Sequence, residues 1–494
     1  MYFCIFTNMD MMKTYILSFF ATILLFVGCK GNLEPNDAIF FSYQLNWNNA
    51  GIDVILDCTC PQHDTLELYY CEPDLGGQTD LFSCMKNLNA DGCNMTTDST
   101  KCLVRLYDFQ RTTIRLTYRI EQSLPDTDLD CPKEVFRPNL TDDVLYALST
   151  HLFLLPDMDD EVLSQVPMCV KWGEKPDFPV FCLYNPGNGL NDYEGQLYEL
   201  YNTVVVGDRF LHVDTAMVMG TTNYIVTAPR RYAEFNNADL KAFFKVFYPA
   251  AVRFWEDVPE KPYSLMVYPF QKIPFEVSGL GLDGGFFGRY SADADTILNH
   301  EREQTYAHEI GHNWIGFGED FQWFGEGFND FQSIYLVTAS GLKNTQNFVD
   351  FFNDYLDKLH HSEIRNLPND EIWKNFWNLG DYSWIPYWRG AIYALHLTGW
   401  IEAVTGTEHA FKDLMMAVKP SMDTLTPESF LDIAGQFVDR QQLEEDFNRY
   451  ILRAETMTLD DDPMPKGSEV RHKDDGTPYL IITDEEAFAR HFVL

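Results

Sequence analysis

Residues 306–315 read YAHEIGHNWI and contain an HExxH pentad, around which the rest of the chain can be interpreted. The segment has no helix breaker except Gly311, so we predict a helix through it. Residues four apart lie on one face of a helix, and His308 and His312 can therefore offer two imidazole nitrogens to one zinc ion. Glu309 would point toward the open coordination position of that ion. The segment predicts the core of a zinc hydrolase.

A second motif supplies a third ligand, which matters because a lone HExxH pentad also arises by chance in unrelated surface helices. Residues 323–331 read WFGEGFNDF, and Glu326, fourteen residues past His312, opens a predicted helix. A catalytic zinc ion needs three protein ligands and one open position, and two His with one Glu is an established set. Asp330 follows one helical turn later and could accept the free ring N–H of a ligating histidine, for which we choose His308. The alternative for Asp330 is an ordinary solvated acid.

Together the two motifs resemble those of a known family. The string HEIGHNWIG at 308–316, followed by WFGEGFNDF, is similar to the paired motif of the glycyl-aminopeptidase-like gluzincins, relatives of the aminopeptidase N and leukotriene hydrolase group. In the latter group the gap between the second His and the Glu is usually longer, so the gap here favours the glycyl-aminopeptidase branch. The resemblance implies a metallopeptidase that binds Zn2+ through His308, His312 and Glu326 and acts on peptide substrates.

A third segment carries a candidate for stabilising the transition state. Residues 382–390 read YSWIPYWRG, and Pro386 is expected to start a long apolar helix with Tyr387 in its first turn. A phenol there could donate a hydrogen bond to the oxyanion that forms opposite the zinc ion. The segment resembles the catalytic-tyrosine segment of the aminopeptidase group, and the alternative is an aromatic residue at an interface. Arg389 is a candidate for holding a substrate carboxylate, or it simply pairs with one of the many acids.

A glycine-rich loop precedes the pentad. Residues 279–288 read GLGLDGGFFG, which indicates either close approach of a substrate to the backbone or plain flexibility. We name Gly284 and Gly285 as candidate substrate-binding residues. In relatives the corresponding strand edge binds the substrate backbone and often carries a Glu that holds the free amine. Here Asp283 is the only acid in the loop, so aminopeptidase and endopeptidase action both stay open.

The N-terminus predicts export. Lys13 precedes an apolar run from Tyr15 to Val27, which has the length of a signal-peptide core and is short for a membrane span. The run ends in LFVGC at 25–29, which resembles a bacterial lipobox with Cys29 as the lipidated first residue; simple secretion is the alternative. We predict a signal peptide at 1–28 and an exported bacterial lipoprotein on the periplasmic or cell-surface side of a membrane, attached through Cys29.

The charge of the chain excludes one class of partner. The formal net charge is −38. Binding to phosphate backbones needs clustered Lys and Arg, so we expect no nucleic-acid partner. Repulsion from anionic lipid is also expected, which leaves the lipid on Cys29 as the membrane attachment. The sequence does not indicate an oligomeric state.

The cysteines are clustered. Eleven are present, and apart from Cys4 and Cys29 they all fall between Cys58 and Cys182. In an exported protein this clustering predicts disulfides in the first domain, although nine is an odd number and the connectivity cannot be read. The pair Cys58 and Cys60 has no second pair at zinc-finger spacing, which favours disulfides or buried thiols over another metal site.

The pattern along the chain predicts an α+β multidomain fold. Residues 37–160 alternate as strands, with one wet face at 112–120, and predict a β-sandwich-like N-terminal domain. Residues 161–343 have the order of elements of a thermolysin-like zinc catalytic domain. Residues 344–455 predict a C-terminal α-helical domain, and residues 456–494 a short β tail.

Two functions are compatible with these residues. The first is an aminopeptidase-like zinc metallopeptidase, in which Zn2+ and Glu309 activate water and Tyr387 stabilises the tetrahedral intermediate. The second is a non-catalytic surface lipoprotein that uses the peptidase scaffold to bind peptides or glycans. The intact ligand set and Glu309 favour the first, because a binding protein has no need of a general base.

Overall fold

The computed structural model describes residues 39–59, 65–73, 75, 79–122, 136–228, 237–258, 261–270, 277–291, 300–316, 322–376, 380–460 and 462–494. The predicted signal peptide at 1–28 and the predicted lipidation site Cys29 lie outside these residues. Within the described ranges, none of the helices is both long and apolar enough to cross a membrane.

Strands dominate the first half of the described chain. Their bounds are β1 Phe40–Trp47, β2 Gly51–Thr59, β3 Thr65–Tyr69, β4 Met85–Asp91, β5 Asn94–Asp98, β6 Leu103–Tyr107, β7 Thr113–Glu121, β8 Asn139–Thr141, β9 Val144–Leu148, β10 Leu155–Pro156, β11 Pro167–Trp172, β12 Val180–Cys182, β13 Tyr193–Gln196, β14 Val204–Asp208, β15 His212–Val218, β16 Thr221–Thr227, β17 Ser264–Phe270, β18 Val277–Leu282, β19 Gly285–Ser291, β20 Ser468–His472 and β21 Pro478–Ile482.

Helices dominate the second half. Their bounds are α1 Ser149–Leu152, α2 Asp160–Leu163, α3 Asn237–Trp255, α4 His300–Gly311, α5 Gln322–Gly325, α6 Gly327–Ala339, α7 Thr345–His361, α8 Asn369–Lys374, α9 Asp381–Thr405, α10 Ala410–Val418, α11 Pro427–Ala434, α12 Arg440–Phe447 and α13 Glu485–Ala489.

Three sheets form the N-terminal part. They have the strand orders β13-β11-β1-β2-β7-β4, β10-β3-β6-β5 and β12-β14-β9-β8, and residues from all three share one hydrophobic core. Along β7 the side chains alternate as predicted for 112–120, with Ile114, Leu116, Tyr118 and Ile120 buried. The sheet-rich N-terminal part and the helical C-terminal part confirm the α+β fold class.

The strand pairing moves the predicted end of the N-terminal domain. The prediction ended that domain at residue 160, but β11 pairs in parallel with β1, and β13 pairs with β11. Strands β12 and β14, which the prediction gave to the catalytic domain, join β9 in the third sheet. We therefore end the N-terminal unit at about Asp208. Long-range parallel pairing leaves no local sequence signal, which is why the boundary at 160 differs.

A five-stranded sheet lies between two hydrophobic cores. Its order is β15-β16-β17-β19-β18, with β16, β17 and β19 parallel and with β15 and β18 as antiparallel edges. Because successive side chains point to opposite faces, Leu265 and Val267 pack toward the helices, whereas Met266 and Tyr268 pack toward the N-terminal core. The sheet thus fixes the helical part against the N-terminal part.

The helical part begins with sequence-encoded caps. Helix α7 lies at the start of the predicted helical region, and Asn344 caps it by accepting from the backbone N–H of Asn347. Thr426 caps α11 and Asp439 caps α12, each by accepting from a backbone N–H of the first turn. Helix α6 is buried over most of its length, and it packs with α9 in the second core.

Candidate metal centre and active site

The HExxH segment forms a helix that ends earlier than predicted. Helix α4 stops at Gly311, so His308 lies in its last turn and His312 lies in the turn that follows. Backbone bonds from Trp314 and Ile315 to the carbonyl of Gly311 continue the turn. The two imidazole rings remain neighbours, with centroids 4.7 Å apart.

Three ligand atoms converge. Nε2 of His308 and Nε2 of His312 lie 3.0 Å apart, and Oε2 of Glu326 lies 3.2 Å from the first and 3.8 Å from the second. A tetrahedral zinc ion with bonds of about 2.0–2.2 Å sets its ligand atoms about 3.3–3.6 Å apart, so these distances fit one ion. Among the His, Cys, Asp and Glu residues of the described part of the chain, these three form the one group close enough together to hold a metal ion.

The far side of each imidazole fixes its tautomer. Nδ1 of His308 lies 2.7 Å from Oδ1 of Asp330, and Nδ1 of His312 lies 3.1 Å from the carbonyl oxygen of Ile315. A carboxylate and a carbonyl oxygen both accept, so each Nδ1 carries the proton it donates. With a metal ion in place of a proton on Nε2, each Nε2 lone pair would be directed to the shared point, which is the arrangement a metal ligand needs.

The charges around the cluster favour a cation. Burial on its own lowers the pKa of His308, but the carboxylates of Asp330 and Glu326 raise it to about 10. Burial, followed by the neighbouring His308, holds the pKa of His312 well below its usual value. Burial raises the pKa of Glu326, although the hydrogen bonds that His308 and Tyr387 donate to it act to lower that pKa. Two buried carboxylates thus face two imidazoles that cannot both be protonated, and a divalent cation would balance this charge.

Asp330 is itself held by a second helix. Its Oδ2 accepts a hydrogen bond from the hydroxyl of Tyr355 on α7, at 2.5 Å, while its Oδ1 faces His308. Asn329, next to it on α6, donates to the carbonyl of His308 at 2.7 Å. The sequence did not identify Tyr355 as a partner of Asp330, because a tyrosine on the apolar face of a helix predicts only packing in the core.

The strand that runs over the site is β18. Glu309 is fully buried, and a Cβ added at Gly279 would come within 2.7 Å of its side chain. A Cβ at Gly281 would come within 3.1 Å of the Cβ of His312. The strand can therefore pass this closely only with glycine at 279, and a larger residue at 281 would require His312 to shift. The spacing of two between these glycines, which puts both on one face of a strand, was the sequence signal that could have identified them.

The predicted substrate glycines lie elsewhere on that hairpin. Gly284 forms the turn between β18 and β19 with a φ of 68°, and Gly285 packs against Leu183 and the carbonyl of Ser264. The turn is three residues beyond Gly281 along an extended strand. The assignment of Gly284 and Gly285 to the substrate stays a prediction, whereas the glycines that lie against Glu309 and His312 are those at 279 and 281.

Tyr387 lies beside the ligands, on a helix that begins earlier than predicted. Helix α9 starts at Asp381 and contains Pro386, which the prediction placed at its start. The Tyr387 ring lies 5.6 Å from the ring of His308, and its hydroxyl hydrogen-bonds to Glu326. Pro386 lacks the N–H that would bond to the carbonyl of Tyr382, so the helix loses one hydrogen bond in its second turn and still extends upstream.

Arg389 is buried and bonded to a loop. Its guanidinium donates to the carbonyl oxygens of Arg365 and Leu367, at 2.9 Å each, and to the side-chain oxygen of Asn369. Burial lowers the pKa of Arg389 to about 10. These bonds tie the loop 365–369 to α9, so they give Arg389 a structural task in place of the predicted pairing with an acid.

A close crossing of α9 with α5 and the start of α6 positions Tyr387 against Glu326. A Cβ at Gly327 would collide with the backbone of Gly390, and a Cβ at Gly390 would collide with the carbonyl oxygen of Trp323. Glu326 directly precedes the first glycine, and Tyr387 lies one turn before the second. Two glycines at the crossing therefore let the tyrosine reach the ligand.

Comparisons with solved structures identify the fold. The chain matches an aminopeptidase N family protein from Idiomarina loihiensis with a TM-score of 0.70 at 15% identity, over 88% of this chain and 79% of that one. It matches the M1 zinc metallopeptidase from Deinococcus radiodurans with a TM-score of 0.54 at 14% identity, over 87% and 96%. It matches yeast LTA4 hydrolase in complex with bestatin with a TM-score of 0.52 at 14% identity, over 86% and 70%.

The sequence itself gives no such match. No protein-family model matches the chain, and no curated protein does either. At 14–15% identity, the structural matches show a shared fold. That fold is the one of the aminopeptidase N and leukotriene hydrolase group, which the sequence motifs predicted as relatives.

Proposed function

We propose that the chain is a zinc metallopeptidase that hydrolyses peptide bonds. The observation that carries the proposal is the convergence of Nε2 of His308, Nε2 of His312 and Oε2 of Glu326 within 3.0–3.8 Å. The tautomers fixed by Asp330 and the carbonyl of Ile315 support the same conclusion. The fold shared with zinc metallopeptidases is further support.

The residues around the ligands have the groups that amide hydrolysis needs. A bound zinc ion would supply a Lewis acid and lower the pKa of a water molecule. Glu309, buried next to the ligand His308, would take the proton of the attacking water and pass it to the leaving amine. Tyr387 would donate a hydrogen bond to the oxyanion, because its hydroxyl already lies at the ligand Glu326.

The edge strand β18 offers a place for the substrate backbone. It pairs with β19 on one side and is the last strand of the sheet in the described residues. An extended peptide can add to such an edge through main-chain hydrogen bonds. Glycine at 279 and 281 lets this edge lie directly against Glu309 and His312, so a peptide paired with the edge would lie beside these residues.

We favour aminopeptidase-like action over endopeptidase action. A mutant of the Deinococcus enzyme that shares the fold has been crystallised with a Tyr-Ser-Ala substrate. Asp283, the only acid in the glycine-rich loop, is exposed in the turn after β18, so the described residues of this loop place no acid at the edge of the site. Cleavage positions must therefore decide between the two modes.

The test uses Glu309→Gln, which keeps the shape of the side chain and removes the base. Wild type and variant are incubated with a mixed peptide pool, and the products are mapped by mass spectrometry. We expect the wild type to release N-terminal residues and the variant to bind zinc but cleave at least about a hundredfold more slowly. Equal rates would refute the mechanism. A wild type that binds peptides without cutting them would favour the non-catalytic binding protein.

We also propose that the chain is exported and anchored through a lipid on Cys29. The support is the lipobox-like LFVGC at 25–29 after the apolar run. Radiolabelled fatty acid should label the wild type and leave Cys29→Ser unlabelled. Equal labelling of both would contradict the anchor.

A further inference from the structure

We propose that Cys71 and Cys102 form a disulfide bond when the chain meets a disulfide oxidant. The pair lies in the N-terminal part, away from the metal ligands in sequence, and it has no task in peptide hydrolysis. The clustering of cysteines predicted disulfides without pairing them; the described cysteines are free thiols in the structure, and among them Cys71 and Cys102 are neighbours.

The strand pairing brings the two residues together. Strands β3 and β6 are antiparallel with Tyr69 opposite Leu103, and the backbone N–H of Tyr70 extends the ladder to the carbonyl of Cys102 at 2.9 Å. Both cysteines lie at that end of the strand pair, since Cys71 comes after Tyr70 and Cys102 comes just before Leu103. Their Sγ atoms lie 3.5 Å apart, and a bond of about 2.0 Å requires the two sulfurs to approach by about 1.5 Å.

The backbone at both cysteines indicates that the side chains are used. Cys71 has a φ of 62° and Cys102 has a φ of 49°. These values are left-handed, a conformation that favours glycine or asparagine and is costly for other residues. A cysteine at both positions, each buried against the other, is therefore explained by an interaction between the two sulfurs.

The bond would close a segment that borders two sheets. Between the two cysteines the chain forms β4, the last strand of the six-stranded sheet, and then β5, the last strand of the four-stranded sheet. An edge strand has a neighbour on one side only, so it is the first part of a sheet to separate. A covalent link between residues 71 and 102 would hold both edges by restricting the unfolded chain.

The chemistry balances with a small disulfide such as oxidised glutathione. The two thiols lose two protons and two electrons as the Sγ–Sγ bond forms. The electrons break the S–S bond of the oxidant, whose sulfurs take up the protons and leave as two thiols. The hydrogen bond that Cys71 donates holds the pKa of Cys102 below its usual value, which favours the thiolate required for exchange.

The pairing is tested by mapping the bond. The full chain is reduced and unfolded, refolded in a glutathione redox buffer, then unfolded in an alkylating reagent and digested without reduction. We expect mass spectrometry to find the peptide with Cys71 joined to the peptide with Cys102. Alkylation of both cysteines, or bonds from either one to a different cysteine, would overturn the proposal.

The stabilising role is tested by heating. Reductant should lower the unfolding temperature of the oxidised wild type by several degrees, about what a cross-link of this loop length provides. The double variant Cys71→Ala, Cys102→Ala should show no such loss. The matched control Cys169→Ala, Cys182→Ala removes two other buried cysteines of the same unit and should keep the loss. If reductant lowers the unfolding temperature of the Cys71→Ala, Cys102→Ala variant as much as that of the wild type, the stabilising role is wrong, whatever the peptidase assays show.

Discussion

At the residue scale, His308 connects the candidate metal centre to the residues packed around it. Its Nε2 faces His312 and Glu326, and its Nδ1 donates to Asp330. Asp330 in turn accepts from Tyr355. Outer partners of a ligating histidine keep its ring oriented and its lone pair available, so each of them contributes to metal affinity.

Tyr355→Phe should weaken zinc binding. The change removes the hydroxyl that donates to Oδ2 of Asp330. We expect zinc affinity to fall about tenfold, toward the low end for groups that support a ligand. Competition with a chromogenic chelator measures this directly. Tyr335→Phe is the matched control, because that buried hydroxyl donates to the carbonyl of His491; equal affinity in both variants would show that Tyr355 only supports folding.

Tyr387→Phe should lower kcat by about a hundredfold and leave KM nearly unchanged. An oxyanion donor acts mainly in the transition state, so its loss appears in turnover. Tyr382→Phe, on the same helix and half-buried, is the control. Both assays are run at saturating zinc. If Tyr387→Phe lowers zinc affinity but keeps turnover within about twofold, the phenol orients Glu326 and has no direct role in catalysis.

At the element scale, the sequence predicted the ligands better than the elements that carry them. His308, His312 and Glu326 could be predicted because helical spacing and motif order are local properties. The end of α4 could not, since it depends on how α6 packs against Gly311. The turn position of Gly284 and the loop contacts of Arg389 also depend on long-range packing, and the sequence assigned both to the substrate.

Gly390→Ala should destabilise the fold and disturb the site together. The new methyl group meets the carbonyl oxygen of Trp323, and a backbone atom cannot move aside as a side chain can. We expect a loss of at least about 1–3 kcal/mol in the free energy of unfolding, the range for overpacking. Gly316→Ala is the control, because a Cβ there meets no atom of the described residues within 4 Å. Urea unfolding of both variants checks this, and an unchanged midpoint for Gly390→Ala would contradict the close crossing.

At the scale of the whole molecule, the five-stranded sheet joins two cores, and the N-terminal core contains a buried base. His151 on α1 lies fully buried, near Tyr70 and Arg137. Burial, and then the charge of Arg137, lower its pKa to about 3. The unfolded chain takes up this proton near pH 6.5, so between about pH 3 and 6.5 the unfolded state binds more protons. Stability is therefore lost as the pH falls through this window.

His151→Gln should reduce that acid sensitivity. At pH 5 the linkage is worth about 2 kcal/mol, because each pKa unit corresponds to about 1.4 kcal/mol. The variant removes the titrating group, so its loss of unfolding free energy between pH 7 and pH 5 should be smaller than that of the wild type by about this amount. Urea unfolding at the two pH values measures the difference. Identical losses would show that His151 takes up its proton equally in both states.

The most direct test of the central claim measures zinc and peptide cleavage on the same samples. We expect about one zinc ion per wild-type chain, loss of cleavage when a chelator removes it, and recovery when zinc is restored. Glu326→Gln, which removes one ligand charge, should lose both zinc and cleavage, whereas His396→Gln, a buried histidine bonded to Asp446, should keep both. A zinc-free wild type that cleaves peptides at the full rate, or a Glu326→Gln variant that holds zinc as tightly as the wild type, would contradict the assignment.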